Sequence, residues 1–257
     1  MADLRTLRLI MSTPLSPSTV EAIKARIPQI AIDGPSGSGK STVAKKLASI
    51  LAGDYVDTGA SYRAMSWWMV KCDIDIEDAD ALAEHAYTPI IELGVNPEQP
   101  RVWVDSHDVS IDIRTPEITA AVSRVAAAPE VRTRLVDLQR SYAQVAATHG
   151  HGVVMEGRDI GSVVLPDATL KVWLTADLTA RAERRAAQDQ SLLGVSQGHD
   201  TVAEALAQRD VRDRERTVSP AEMAPDAVVV DATFIDADAV VATVLKLVCG
   251  KLGIADV

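Results

Sequence analysis

The chain has 257 residues, and its 26 Lys and Arg against 36 Asp and Glu leave a formal net charge of −10. With 47% hydrophobic residues it is long and apolar enough to bury a sizeable core, which excludes a chain disordered throughout. The acidic balance argues against general affinity for nucleic acid or an anionic membrane, and 4% aromatic residues argue against a base-stacking platform for single strands.

Residues 1–27 stand apart, because Ser12–Ser18 has loop composition with no period, and the stretch reads as a mobile N-terminal extension. Asp3 interrupts the basic residues Arg5 and Arg8, and Leu9-Ile10-Met11 is too short for a signal-peptide core. No uncharged apolar run approaches the ~18 residues of a spanning helix, so the expectation is a cytoplasmic protein. Cys72 and Cys249 have neither the spacing of a disulfide framework nor that of a zinc site, and are expected as free thiols in a reducing compartment.

The apolar run Gln29–Ile32 ends in Asp33-Gly34, which predicts a buried strand meeting a turn. Val43, Ala44, Leu47, Ala48 and Leu51 recur at helical spacing and predict a helix over Lys40–Leu51. The region 61–150 mixes a helix around Tyr62–Val70, an antiparallel pair at Ile90–Val95 and Arg101–Val104, and Ala-rich helices from 117 to 147. That mixture reads as an insertion. His151–Met155 and Leu170–Leu174 then predict further buried strands, with helices from Leu178 and Val202, a last strand at Val228–Val230, and a closing helix over Ala237–Leu252. Apolar strands alternating with helices indicate the α/β class, with a parallel sheet covered on both faces.

Gly34-Pro35-Ser36-Gly37-Ser38-Gly39-Lys40-Ser41 matches the phosphate-binding pattern G-x-x-x-x-G-K-[ST], here between a predicted strand and a predicted helix. Glycines let the backbone wrap a polyphosphate with its N–H groups turned inward, and the following helix aims its positive end at the same charge. Lys40 would reach the β- and γ-phosphates and Ser41 would ligate Mg²⁺. Such a loop names a triphosphate but no reaction.

Three further segments narrow the chemistry. Asp57-Thr58-Gly59-Ala60-Ser61-Tyr62-Arg63 would cap a new helix with Arg63 in its first turns. Glu156-Gly157-Arg158-Asp159 follows a buried strand, which puts it at the carboxyl edge of the sheet, where open α/β folds place ligands. Arg158 is set for a phosphate clamp, and Glu156 for a water on Mg²⁺ or for the surface. Arg209, Arg212, Asp213 and Arg216 recur at i, i+3, i+4 and i+7, one helical face whose crowded arginines ask for an anion. The plainer alternative is a solvated helix held by Arg209–Asp213 and Asp210–Arg214 pairs worth about 0.3–0.5 kcal/mol each.

These segments, with Ile113-Arg114-Thr115, Ser123-Arg124-Val125-Ala126, Val131-Arg132 and Pro166-Asp167-Ala168, resemble the bacterial cytidylate (CMP) kinases over residues 30 to about 233. The resemblance implies a P-loop NTPase fold with a core over 28–62 and 136–257, an NMP-binding insertion over 63–135 and a mobile lid over 185–208. It implies ATP at Gly34, Pro35, Ser36, Gly37, Ser38, Gly39, Lys40, Ser41 and Thr42, with Mg²⁺ at Ser41. It places the CMP phosphate on Arg63, Arg158 and Arg216, and the sugar on Arg209 and Asp213. Ser123, Arg132 and Asp159 would read the cytosine edge, with Asp57 and Thr58 lining the same pocket, and Lys40, Arg158 and Arg185 would serve the transfer. A soluble monomer acting on small molecules is implied, with no role for the tail.

Two positions depart from the family's frequent residues, Thr58 standing for Ser and Glu156 for Asp. A carboxylate at Asp159 would accept a hydrogen bond from the amino group of cytosine and repel the carbonyl of uracil. Because a monophosphate acceptor is already an oxyanion at pH 7, the expected reaction needs charge neutralisation and in-line alignment and no general base. The alternatives are a kinase for UMP or a small-molecule hydroxyl, and a non-catalytic nucleotide switch. A guanine-reading N-K-x-D element, the mark of a GTPase switch, is absent from the sequence.

Overall fold

The computed structural model of the protein describes residues 15–194, 198–215 and 220–255. Five strands form a parallel sheet: β1 (Gln29–Asp33), β2 (Asp54–Asp57), β6 (Val153–Gly157), β7 (Leu170–Thr175) and β8 (Val228–Asp231), in the order β2-β6-β1-β7-β8. The helices are α1 (Pro17–Lys24), α2 (Lys40–Leu51), α3 (Thr58–Lys71), α4 (Ala79–His85), α5 (Pro116–Val125), α6 (Pro129–Thr148), α7 (Leu178–Leu193), α8 (His199–Arg214) and α9 (Ala237–Leu252). A small antiparallel sheet joins β3 (Ile91–Leu93), β4 (Val102–Val104) and β5 (His107–Asp108).

Side chains alternate across the parallel sheet, as a two-residue strand period requires. Ile30, Ile32, Tyr55, Val154, Val172 and Leu174 join one core with α2 and α9. Ala31, Val56, Val153 and Met155 face the other way and join the core built by α3, α5, α6 and the antiparallel strands. Both faces are therefore buried, which explains why the strands read as continuous apolar runs.

Several elements differ from the sequence reading. Residues 17–24, expected inside a mobile extension, form α1, capped by the Ser16 hydroxyl on Thr19 N–H at 3.2 Å with Pro17 in its first turn. Ile23 is fully buried, and Leu15 and Val20 pack against the same core. The Ala-rich stretch splits into α5 and α6, because Pro129 drives Ala128 to an extended backbone, ψ 123°. Strands β2 and β5 and helix α4 were not expected. Cys72 is exposed and Cys249 buried, both as thiols.

Register brings the carboxyl ends of β1, β6 and β7 level, Asp33 lying opposite Gly157 on one side and Trp173 on the other. From β1 the chain crosses to α2 on one face. From β6 it turns into a π-helical segment, Ile160–Val164, whose Ile160 and Val164 join the opposite core. Adjacent strands sending their connections to opposite faces open a crevice between them, the switch point at which ligands bind in open α/β sheets.

Candidate active site

The phosphate-binding loop occupies that crevice. Gly34 has φ 146°, and a Cβ there would drive into the Leu174 carbonyl. Gly39, at φ 98°, opens α2 without a side-chain cap, leaving the helix's first N–H groups turned toward the crevice. The Ser38 hydroxyl is buried and has no hydrogen-bond partner among the described residues. An orphaned donor inside such a loop suits an anion's oxygen.

A cavity of ≈ 530 Å³ opens from this loop, walled by Ser36, Gly37, Gly39, Lys40, Ser41, Thr42, Asp57, Arg63, Glu156 and Arg158 among others. Seven cations reach it from across the fold: Lys40, Arg63, Arg114, Arg158, Arg184, Arg185 and Arg209, against the two acids Asp57 and Glu156. In a chain of net charge −10 this concentration has a price in repulsion. Burial, then Arg158 and Arg63, push the Arg209 guanidinium down to about 9. Burial, then Arg185 and Arg114, push Arg63 down to about 10. Burial and Arg158 push the Lys40 ammonium down to about 7, with Glu156 and Asp33 opposing. Each shift relaxes when an anion enters.

Neighbours hold these groups in place. Lys40 folds back onto the Pro35 carbonyl at 2.8 Å. Arg63, from the second turn of α3, donates to the Ile113 carbonyl at 3.1 Å and the Thr119 hydroxyl at 2.8 Å. Arg158 donates from Nε to Asp213 at 3.0 Å, and Arg209 lies 3.9 Å from the same carboxylate, its Nε without a hydrogen bond among the described residues. Asp57 caps α3 on the Ala60 N–H at 3.0 Å and faces Arg114 at 3.6 Å.

On the far side of Lys40, Glu156 is buried, accepts from the Tyr55 hydroxyl at 2.7 Å and bonds the Ser41 hydroxyl. Burial and the nearby Asp57 raise its carboxyl above the ordinary range. A hydroxyl and a carboxylate are hard oxygen donors, the set that suits Mg²⁺ when substrate phosphates complete its shell. Among the described residues no group of three or more His, Cys, Asp or Glu could hold a metal by itself.

Other expected residues sit elsewhere. Thr58 is buried with its hydroxyl on the Glu156 carbonyl at 2.7 Å, behind the cavity wall and not on it. Arg132 and Asp159 are buried outside that wall as an ion pair with each other, and Ser123 is half-buried on α5. The helical face predicted from 209 to 216 divides: Arg209 and Asp213 turn inward, whereas Arg212 is exposed. Asp210 pairs with Arg181 of α7 rather than with Arg214, since Arg181 also grips the Ser36 carbonyl at 3.2 Å and so ties α7, α8 and the loop together. Arg216 lies outside the described residues. Arg114 lines the cavity without having been given a role there. Arg184 also lines the cavity and braces the loop at Ser38 against the β8 exit at Ala232. Its signal in the sequence is the spacing of Arg181, Arg184 and Arg185 at i, i+3 and i+4, which groups the three on one helix expected near the transferred phosphate.

A family model for cytidylate kinase matches residues 30–249. A cytidylate kinase of Streptomyces avermitilis is 48% identical over 221 residues, 85% of this chain and 91% of that one. One of Streptomyces griseus is 46% identical over 91% of this chain and 97% of its own, and one of Mycobacterium avium is 44% identical over 79% and 87%. With a parallel sheet, a phosphate-binding loop at its switch point and this degree of identity along nearly its whole length, the chain belongs to the cytidylate kinase family.

Proposed function

We infer that the chain is an enzyme that transfers the γ-phosphoryl group of ATP to CMP or dCMP, giving ADP and CDP or dCDP. The observation that carries this reading is the single cavity in which the loop of Gly34–Ser41 faces Arg63, Arg158, Arg185 and Arg209. One polyphosphate cannot use both walls. Two phosphorylated ligands entering from opposite sides can, and they meet beside Lys40 and Arg158.

The loop amides, with Thr42 at the start of α2, hold the triphosphate, and Lys40 exchanges its bond to the Pro35 carbonyl for a phosphate oxygen. Arg63, Arg158 and Arg216 take the monophosphate, and Arg209 with Asp213 the sugar. Mg²⁺, held through Ser41 and Glu156, would supply neutralisation of charge on the phosphate oxygens. Arg158 stands where both phosphates converge, fixed by Asp213, and Arg185 adds charge from α7. Nothing has to remove a proton from the acceptor, so alignment and neutralisation account for catalysis.

The base enters toward Arg132 and Asp159, where the carboxylate accepts from the cytosine amino group, with Ser123 beside them, and Asp57 and Thr58 shape the approach. Residues 63–135 act as the monophosphate-binding insertion. The α7–α8 hairpin acts as the lid over 185–208, hinged where Arg181 anchors its base. Part of that segment, 195–197, lies outside the described residues. Among the described residues no helix is long and apolar enough to cross a membrane, and the acidic charge suits a monomer working on small molecules in the cytoplasm. ADP release measured with and without CMP tests the reading. The enzyme requires the monophosphate, whereas a nucleotide switch turns over without it.

A further inference from the structure

Asp33 ends β1, one residue before the phosphate-binding loop, and its side chain is buried with 4% exposure. Its two carboxylate oxygens accept from the backbone N–H groups of Ile160 and Gly161, both at 2.8 Å. Those amides open the π-helical segment Ile160–Val164, and they are the donors that a helix start leaves unsatisfied. The residue in the capping position is Asp159, a type that caps its own helix readily, yet its side chain makes no such bond. It points instead to Arg132. The cap is thus supplied from a neighbouring strand, 127 residues away in sequence, and the local acid is free for other work.

We propose that Asp33 is a positioning residue for base selection: by capping Ile160 and Gly161 it keeps the Asp159 carboxylate turned toward the nucleobase. The inference rests on the assignment of Asp159 to the cytosine edge. Without Asp33, two buried amides lose their acceptor, and the nearest replacement is Asp159 itself, swinging back onto its own turn. Cytosine then loses its acceptor and uracil its repulsion, although neither base touches Asp33. Because the same residue precedes Gly34, the triphosphate loop and the base-reading turn are pinned by one side chain.

The test compares kcat/KM for CMP and for UMP in wild type, Asp33→Ala, Asp33→Asn, Asp159→Asn and the Asp33→Ala/Asp159→Asn double variant. Asp33→Ala lowers the CMP-to-UMP ratio tenfold or more. Asp33→Asn, which keeps one acceptor in the same shape, gives an intermediate ratio even should the alanine variant fold poorly. The double variant is no less selective than Asp159→Asn alone, since both changes remove one function. Amide hydrogen exchange at Ile160 and Gly161 rises in Asp33→Asn. An unchanged ratio in both Asp33 variants, with selectivity lost in Asp159→Asn, overturns the inference and leaves the pocket assignment standing. Retained selectivity in Asp159→Asn overturns the assignment beneath it.

Discussion

Arg132 and Asp159 meet as a buried ion pair, exposed to 4% and 6%, with the guanidinium also 5.5 Å from the centre of the Tyr62 ring. The pair joins α6 to the turn after β6, so the helical region and the sheet edge share a buried charge contact. Removing a single member strands the other charge in a low dielectric. We expect Arg132→Met to cost about 3–5 kcal/mol of stability in urea unfolding, and Arg132→Met/Asp159→Leu to recover most of it. A double variant as unstable as the sum of its single changes contradicts this account of the pair.

Arg209 illustrates the opposite trade. Its guanidinium is crowded by Arg158 and Arg63, and its Nε lacks a hydrogen bond among the described residues. Arg209→Met should raise the stability of the unliganded protein by about 1 kcal/mol while weakening CMP binding tenfold or more. Thermal melts with and without CMP check both halves. Lower stability of the unliganded variant is the adverse result.

Burial raises the Asp33 carboxyl from 3.8 to about 6, against the opposing pull of its two amide bonds and Lys40. The native state therefore binds a proton more tightly than the unfolded chain. This group's stabilising contribution is complete below about pH 4 and is lost as pH rises toward about 6. The shift corresponds to something on the order of 3 kcal/mol. Relative to wild type, Asp33→Asn should gain stability between pH 4 and 6, read by denaturant midpoints across that window. A flat difference argues against the buried charge.

Arg158 donates to Asp213, and in the proposed reading it also holds a phosphate, which a planar guanidinium manages and a point charge does not. Arg158→Lys is expected to lower kcat by about 10²–10³-fold with the fold intact by circular dichroism. A loss confined to KM for CMP would assign Arg158 to binding alone.

Much of this was legible because it is local. Gly34–Ser41 declares itself within eight residues, and β1, β6 and β7 announce their burial as apolar runs. Strand β2 was hidden because Asp-Tyr-Val-Asp has polar ends and only four residues. Helix α1 was hidden because Ser16-Pro17-Ser18, which reads as loop, is a cap followed by a helix-starting proline. Pairings distant in sequence left no trace at either partner. Helical spacing joined Asp210 to Arg214, but Arg181, 29 positions upstream, takes its carboxylate. Likewise the period could group Arg212 with Arg209 and Asp213, but only the packing of α8 against α7 decides which of them turns inward. The Asp33 cap on Ile160 and Gly161 belongs to the same class.

The claim on which the account depends is that phosphoryl transfer is gated by a cytosine-reading carboxylate. A panel of CMP, dCMP, UMP and AMP, run with ATP against wild type and Asp159→Asn, measures it directly. Wild type should form diphosphate from CMP or dCMP at least tenfold more efficiently than from UMP or AMP, and Asp159→Asn should lose most of the cytosine-over-uracil margin. Equal use of UMP and CMP by wild type, or an unchanged margin in the variant, contradicts it.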